Sequence, residues 1–214
     1  MKKILAMLLA VMMVMSIFAA CSNSGDTTNT TTEATTEATT EATTEATTEG
    51  TTEAEVVADS NASTVILENI WAQVGEENQF FVMGGNVENF VDGKPGNYNM
   101  EYKENLSFNL LVPAEQLEVV DEAGFMQHGM NANNFTAGVC HVTGDVKAFA
   151  DAMQSAVQNN QWMCGFPETL VIAAIDSEYV LVSFGINDAM NPFITALNAA
   201  YADAEVLYNE AIGG

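Results

Sequence analysis

Residues 22–55 hold no apolar side chain larger than a methyl group, and that restricts everything the chain can build. Within them Thr-Thr-Glu-Ala recurs, so that Glu33, Glu37, Glu41, Glu45, Glu49 and Glu53 fall in register. A spacing of four suggests a helix. Those glutamates would then stack at i, i+4 on one face and repel, and half the repeat is β-branched threonine. The stretch cannot bury enough apolar surface to offset the entropy of ordering, so a disordered, self-extending linker is expected. Flexible-coil scaling gives it a reach of about 30 Å, which charge repulsion lengthens. A Thr-rich linker also suits O-glycosylation. Any packed core must come from residues 56–214, enough for one globular domain.

The segment in front is of another kind. Met1-Lys2-Lys3 is a cationic head, residues 4–19 are an almost unbroken apolar run, and Ala19-Ala20 precedes Cys21. Charged head, short apolar core and small-residue cut site mark residues 1–20 as an export signal peptide. The run is shorter than the roughly 20 apolar residues of a spanning helix, and no basic flank follows it. A cysteine at the cut resembles the lipobox of bacterial lipoproteins, which implies that Cys21 is diacylated and becomes the mature N-terminus. Two acyl chains hold a protein stably to a membrane, where one holds it only marginally. The expected location is the outer face of the cell membrane, with residues 21–55 as lipidated cysteine plus tether.

Charge removes several partners. The chain has a formal net charge of −24, and after the signal its basic residues are Lys94, Lys103 and Lys147, with no arginine. Nucleic acid and anionic headgroups need a basic footprint, so nucleic acid is excluded as a partner and the membrane is met through the lipid on Cys21 alone. The guanidinium fork that clamps phosphate or carboxylate ligands is also missing.

Residues 60–74 read as a helix capped by Asn61 or Ser63, with Leu67, Ile70, Trp71 and Val74 on one stripe. Residues 75–100 read as loop with a short strand or helical turns, because Gly84-Gly85 and Asp92-Gly93-Lys94-Pro95-Gly96 are turn-formers. Residues 105–112 suit strand or helix. Pro113 suits a helix start, with Leu117, Val119 and Val120 inside. Phe135, Ala137, Val139 and His141 alternate with Thr136, Gly138, Cys140 and Val142 as a strand. Asp145 caps a helix burying Val146, Phe149, Ala150, Met153 and Val157. Residues 170–175 and 179–184 form a hairpin about Asp176-Ser177-Glu178. Asn191-Pro192 opens a final helix burying Phe193, Leu197, Ala200, Tyr201, Ala204 and Tyr208. Strand, helix, strand, strand, helix implies an α+β fold, with helices packed on a small mixed or antiparallel sheet.

Asn134-Phe135-Thr136-Ala137, the amphipathic helix from Asp145, Gly165-Phe166-Pro167-Glu168 before a strand and Glu178-Tyr179-Val180 opening the next occur in that order. Over about 105–185 this resembles a family of small lipoproteins of unknown function from Gram-positive anaerobes. The resemblance implies neither an activity nor site residues.

No catalytic constellation emerges. Cys140 and Cys164 would gain about 3–4 kcal/mol from a disulfide on the entropic model. However, a helix of about 15 residues carries the chain roughly 22 Å away after Cys140, whereas bridged Cα atoms lie within about 7 Å. Two buried free thiols are expected instead. Cys140 and His141 are strand neighbours on opposite faces and cannot form a dyad. Nothing places His128 near either thiol, and two His with two Cys lack zinc-site spacing. Residues 92–101 offer Asn97, Asn99 and Glu101 as calcium ligands, but Lys94 stands in the third position and a polar loop is the simpler reading. Trp71, Trp162, Tyr98 and Tyr102 suggest a sugar-stacking platform, yet apolar helix faces beside both tryptophans favour core packing. Met126, Met130 and Met163 read as core filler rather than copper ligands.

The expected function is therefore that of a lipid-anchored extracellular lipoprotein whose domain binds an unknown ligand or protein without catalysis, cofactor or metal. The alternative is a cell-wall or glycan-active hydrolase using a carboxylate pair, whose separation across a cleft sequence cannot supply. A solute-capture lipoprotein is a third option, although that class needs two lobes.

Overall fold

The computed structural model describes residues 59–213. The readings made of residues 1–58, the acylated Cys21 and the acidic tether among them, lie outside the described residues.

The architecture is α+β, built on one antiparallel eight-stranded sheet. The strands are β1 (Val82–Gly84), β2 (Val91–Asp92), β3 (Gly96–Asn97), β4 (Val120–His128), β5 (Phe135–Val142), β6 (Thr169–Ile175), β7 (Tyr179–Gly185) and β8 (Glu205–Ala211). They lie in the order β2-β1-β4-β5-β7-β6-β8, with β3 beside β4. Helices α1 (Ala62–Trp71) and α4 (Asn187–Ala200) pack on one face of the sheet. There Leu67, Ile70, Phe193 and Leu197 meet Phe135, Ala137, Val139, Val171 and Leu181. Helices α2 (Leu106–Asn109) and α3 (Val146–Gln158) belong to the other face, where Leu106, Phe149, Met153 and Val157 meet Cys140, Val142, Leu170, Ile172 and Val182. Burial on both faces explains why β6 and β7 are continuous apolar runs rather than alternating ones.

Helices α1 and α3 begin where their capping chemistry dictates. The Asn61 side chain accepts from Thr64 N at 2.8 Å and donates to Ala123 O at 3.1 Å, so one residue caps α1 and ties it to β4. Glu122 accepts from both Ser63 N and Ser63 Oγ at 2.8 Å, placing an anion at the same helix N-terminus. A Cβ on Gly124 would stand 2.6 Å from Thr64 backbone atoms, so only glycine lets α1 come this close. Asp145 caps α3 by accepting from Ala148 N at 3.0 Å, and the expected face of Phe149, Ala150, Met153 and Val157 is buried.

Two expected elements end differently. The helix expected from Pro113 is only a 3-10 turn, Ala114–Val119, after which Val120 opens β4. The chain turns extended because Val120, Ala123 and Phe125 fill the α3-side core while Met126 fills the other, which a helical stripe could not do. The final helix starts earlier, at Asn187, carries Pro192 inside it and stops at Ala200. Tyr208 lies on β8, which covers the edge of β6 instead of extending the helix. Gln154 and Gln158 of α3 donate to Glu210 at 2.7 Å, and the Tyr208 hydroxyl bonds Asp151, fixing β8 against that helix.

Candidate binding cleft

Beyond β4 the sheet breaks into short pieces, and a cleft of about 300 Å³ opens among them. Its wall from the N-terminal region is Met83 of β1 and the loop through Gly85, Asn86, Val87 and Phe90. The facing wall is Asn105, Phe108 and Asn109 at α2, with Phe125 and Gln127 contributed by β4.

Backbone geometry shapes both walls. Gly85 has φ +67°, and a Cβ there would stand 2.0 Å from Asn89 O. Glu88 is also left-handed, at φ 66°, so the loop doubles back sharply and leaves Phe90 outward. Asn86 is buried and holds this loop from within, its side chain accepting from Asn99 N and donating to Asn99 O. Across the cleft, Leu106 and Leu110 are fully buried one turn apart, which turns Phe108 between them to solvent. Phe90 is 61% and Phe108 86% exposed. Phe125 is buried and meets Tyr98 edge-on at 5.8 Å between ring centroids. The Tyr98 hydroxyl accepts from Asn109 Nδ2 at 3.0 Å, and burial raises its pKa above the usual phenol value.

The polar chemistry of the lining is entirely amide. Asn86 is engaged with the chain at both ends of its amide, and Asn109 spends one N–H on Tyr98. Asn105 is exposed and Gln127 half-buried, and among the described residues neither side chain is hydrogen-bonded. None of the lining residues is charged. The lysines among the described residues are committed elsewhere, Lys94 to Glu68 at 3.8 Å, Lys103 to Glu118 at 3.6 Å and Lys147 to Asp151.

The residues singled out from sequence do not gather here. Cys140 is fully buried, which pushes its thiol up to about 12 and leaves it inert as a nucleophile. His141 lies on the opposite face of β5, its Nδ1 2.6 Å from Asp121 Oδ1. His128 stacks on Phe80 at 5.1 Å and accepts from Met130 N and Asn131 N through Nδ1. Cys140 and Cys164 are unpaired, but Cys164 is exposed rather than buried. It sits left-handed at φ 61° in a loop that Asn131 and Asn133 hold by its carbonyls, near the Phe135 end of β5 and away from Cys140. Of the three methionines read as filler only Met126 is core, while Met130 and Met163 are 88% and 77% exposed on these end loops.

Asn97 and Asn99 do not turn their oxygens toward a common ion. Asn97 Oδ1 accepts from Asn61 N at 2.9 Å and Asn99 Oδ1 from Glu101 N at 3.1 Å. Trp71 is core, Trp162 packs on Phe184 at 5.3 Å, and Tyr98 is buried, so the suggested aromatics form no platform. Phe90 and Phe108 were missed. The signal for Phe108 was present, since leucines at i and i+4 imply that the residue midway between them points outward once the segment is helical.

No protein-family model, curated protein or solved structure matches this chain.

Proposed function

We propose that this chain is an exported surface lipoprotein, held to the outer face of the cell membrane by acyl chains on Cys21, whose α+β domain binds an extracellular ligand without altering it. The observation that carries binding is the cleft, whose lining combines exposed aromatic side chains with carboxamides and holds no titratable group. Such a lining orients and covers a ligand. It offers no side chain to relay a proton or attack a carbonyl, and no carboxylate pair for glycoside hydrolysis. The anchor rests on the sequence pattern of residues 1–21.

Metabolic labelling with radioactive palmitate tests the anchor. The expected outcome is label on the full-length protein in the membrane fraction, with Cys21→Ser unlabelled. Label retained by Cys21→Ser would refute it.

A further inference from the structure

We infer that the cleft between Phe90 and Phe108 is a subsite for an uncharged saccharide, which rests on the binding reading above and names its ligand class. Four observations converge on it.

The first is charge. Ligands that are anions or cations are normally met by an opposite charge, and this lining has none of either sign. A polyanion would in addition approach a chain of net charge −24, in which, among the described residues, Lys94, Lys103 and Lys147 each face a carboxylate.

The second is the hydrogen-bonding character of the rim. A sugar hydroxyl both donates and accepts, and a carboxamide does the same from adjacent atoms. Asn105, Asn109 and Gln127 bring carboxamides to the lining, and among the described residues the one hydrogen bond these three side chains make is from Asn109 to Tyr98.

The third is the pair of aromatic faces. A pyranose presents sheets of C–H groups beside its hydroxyls, and a phenyl ring is the apolar partner that covers them. Phe90 and Phe108 are held outward by backbone geometry, the left-handed Glu88 on one side and the buried Leu106 and Leu110 on the other. Both therefore stay exposed at a cost that their own burial against a ligand would recover.

The fourth is size. About 300 Å³ is the small end of the range for ligand sites, suited to one or two sugar rings of a longer chain entering from the open side. An extended peptide would instead look for a line of unpaired backbone groups or a longer aromatic groove.

The test is isothermal titration of the full-length protein in detergent against cellohexaose, maltohexaose, mannohexaose, xylohexaose and N-acetylated chitohexaose. Hexagalacturonate serves as the anionic arm and a proline decapeptide as the peptide arm. At least one neutral hexasaccharide is expected to bind, with affinity falling about tenfold or more in Phe108→Ala and in Phe90→Ala. Asn105→Ala, at an exposed position, should weaken it also. Unchanged melting of Phe108→Ala shows that the loss is one of contact and not of fold. Binding only of the decapeptide, weakened by Phe108→Ala, would overturn the saccharide while leaving a binding cleft. Hexagalacturonate binding more tightly than every neutral sugar would overturn it in the same way. Binding of a sugar that neither phenylalanine variant affects, or of nothing at all, would overturn both the saccharide and the cleft.

Discussion

The sheet changes character across β4. On one side β6 and β7, seven residues each, pair with their neighbours along their whole lengths, and their side chains are buried on both faces. On the other side β2 and β3 have two residues each and β1 has three. The β1–β2 connection holds a left-handed Gly85 and Glu88, and Phe90 there and Phe108 on α2 lie in water. The first region spends its apolar surface on stability. The second leaves part of it uncovered, as the proposed binding site on irregular loops requires. The same residue type therefore does opposite work in the two regions, and substitutions should separate them.

The largest effect belongs to the scaffold. Phe135 is fully buried and meets Phe80 and Phe193 edge-on at 5.1 Å. Phe135→Ala should lower stability by about 3–5 kcal/mol in urea unfolding. A loss as small as that of a surface substitution would break the comparison.

Next comes alkaline pH. In the folded protein the Cys140 thiol is held at about 12, above its ordinary 9.0, because burial disfavours the thiolate. The sign follows: a raised folded pKa gives stability that is complete below about pH 9 and is lost as pH climbs toward 12. Between pH 7 and 10 this amounts to roughly 1 kcal/mol. Unfolding curves of Cys140→Ala should fall less steeply over that interval, and identical slopes would count against a buried, protonated thiol.

Asn61→Ala removes the α1 cap and the bond to Ala123 O, at a cost of about 1 kcal/mol. Thermal unfolding would reveal it, and no shift would mean that α1 is not fastened to β4 at this point. Phe108→Ala should change stability by no more than about 0.5 kcal/mol, the smallest effect of the set. A loss of several kcal/mol would place Phe108 in the core and erase the contrast.

The same division governs what was legible from residue order. Helix α3 could be read from Asp145 and its apolar stripe, and the β6–β7 hairpin from two apolar runs about a short turn, because each signal is local. β4 escaped because Asp121 and Glu122 interrupt its start, and because residues on both its faces are buried, which hides alternation. β8 escaped because Tyr201, Ala204 and Tyr208 continue a helical spacing; pairing with the open edge of β6 outweighs it. The cleft was illegible for a further reason: residues 83–90, 105–109 and 125–127 meet only through β4 pairing and loops in which, besides Gly85, the left-handed positions fall on Glu88 and Leu111, neither a turn-former. The exposure of Met130, Met163 and Cys164 was missed likewise, since loops of the same end must be placed before burial can be judged.

Hydrogen exchange read by mass spectrometry, with and without an equimolar mixture of the five neutral hexasaccharides, tests the division most directly. The expected result is slowed exchange in peptides covering residues 83–90, 105–109 and 125–127, with β5, β6 and β7 unchanged. Protection centred on the exposed Met130, Met163 and Phe166 instead, or no protection anywhere, would contradict a binding site built on the irregular edge of the sheet.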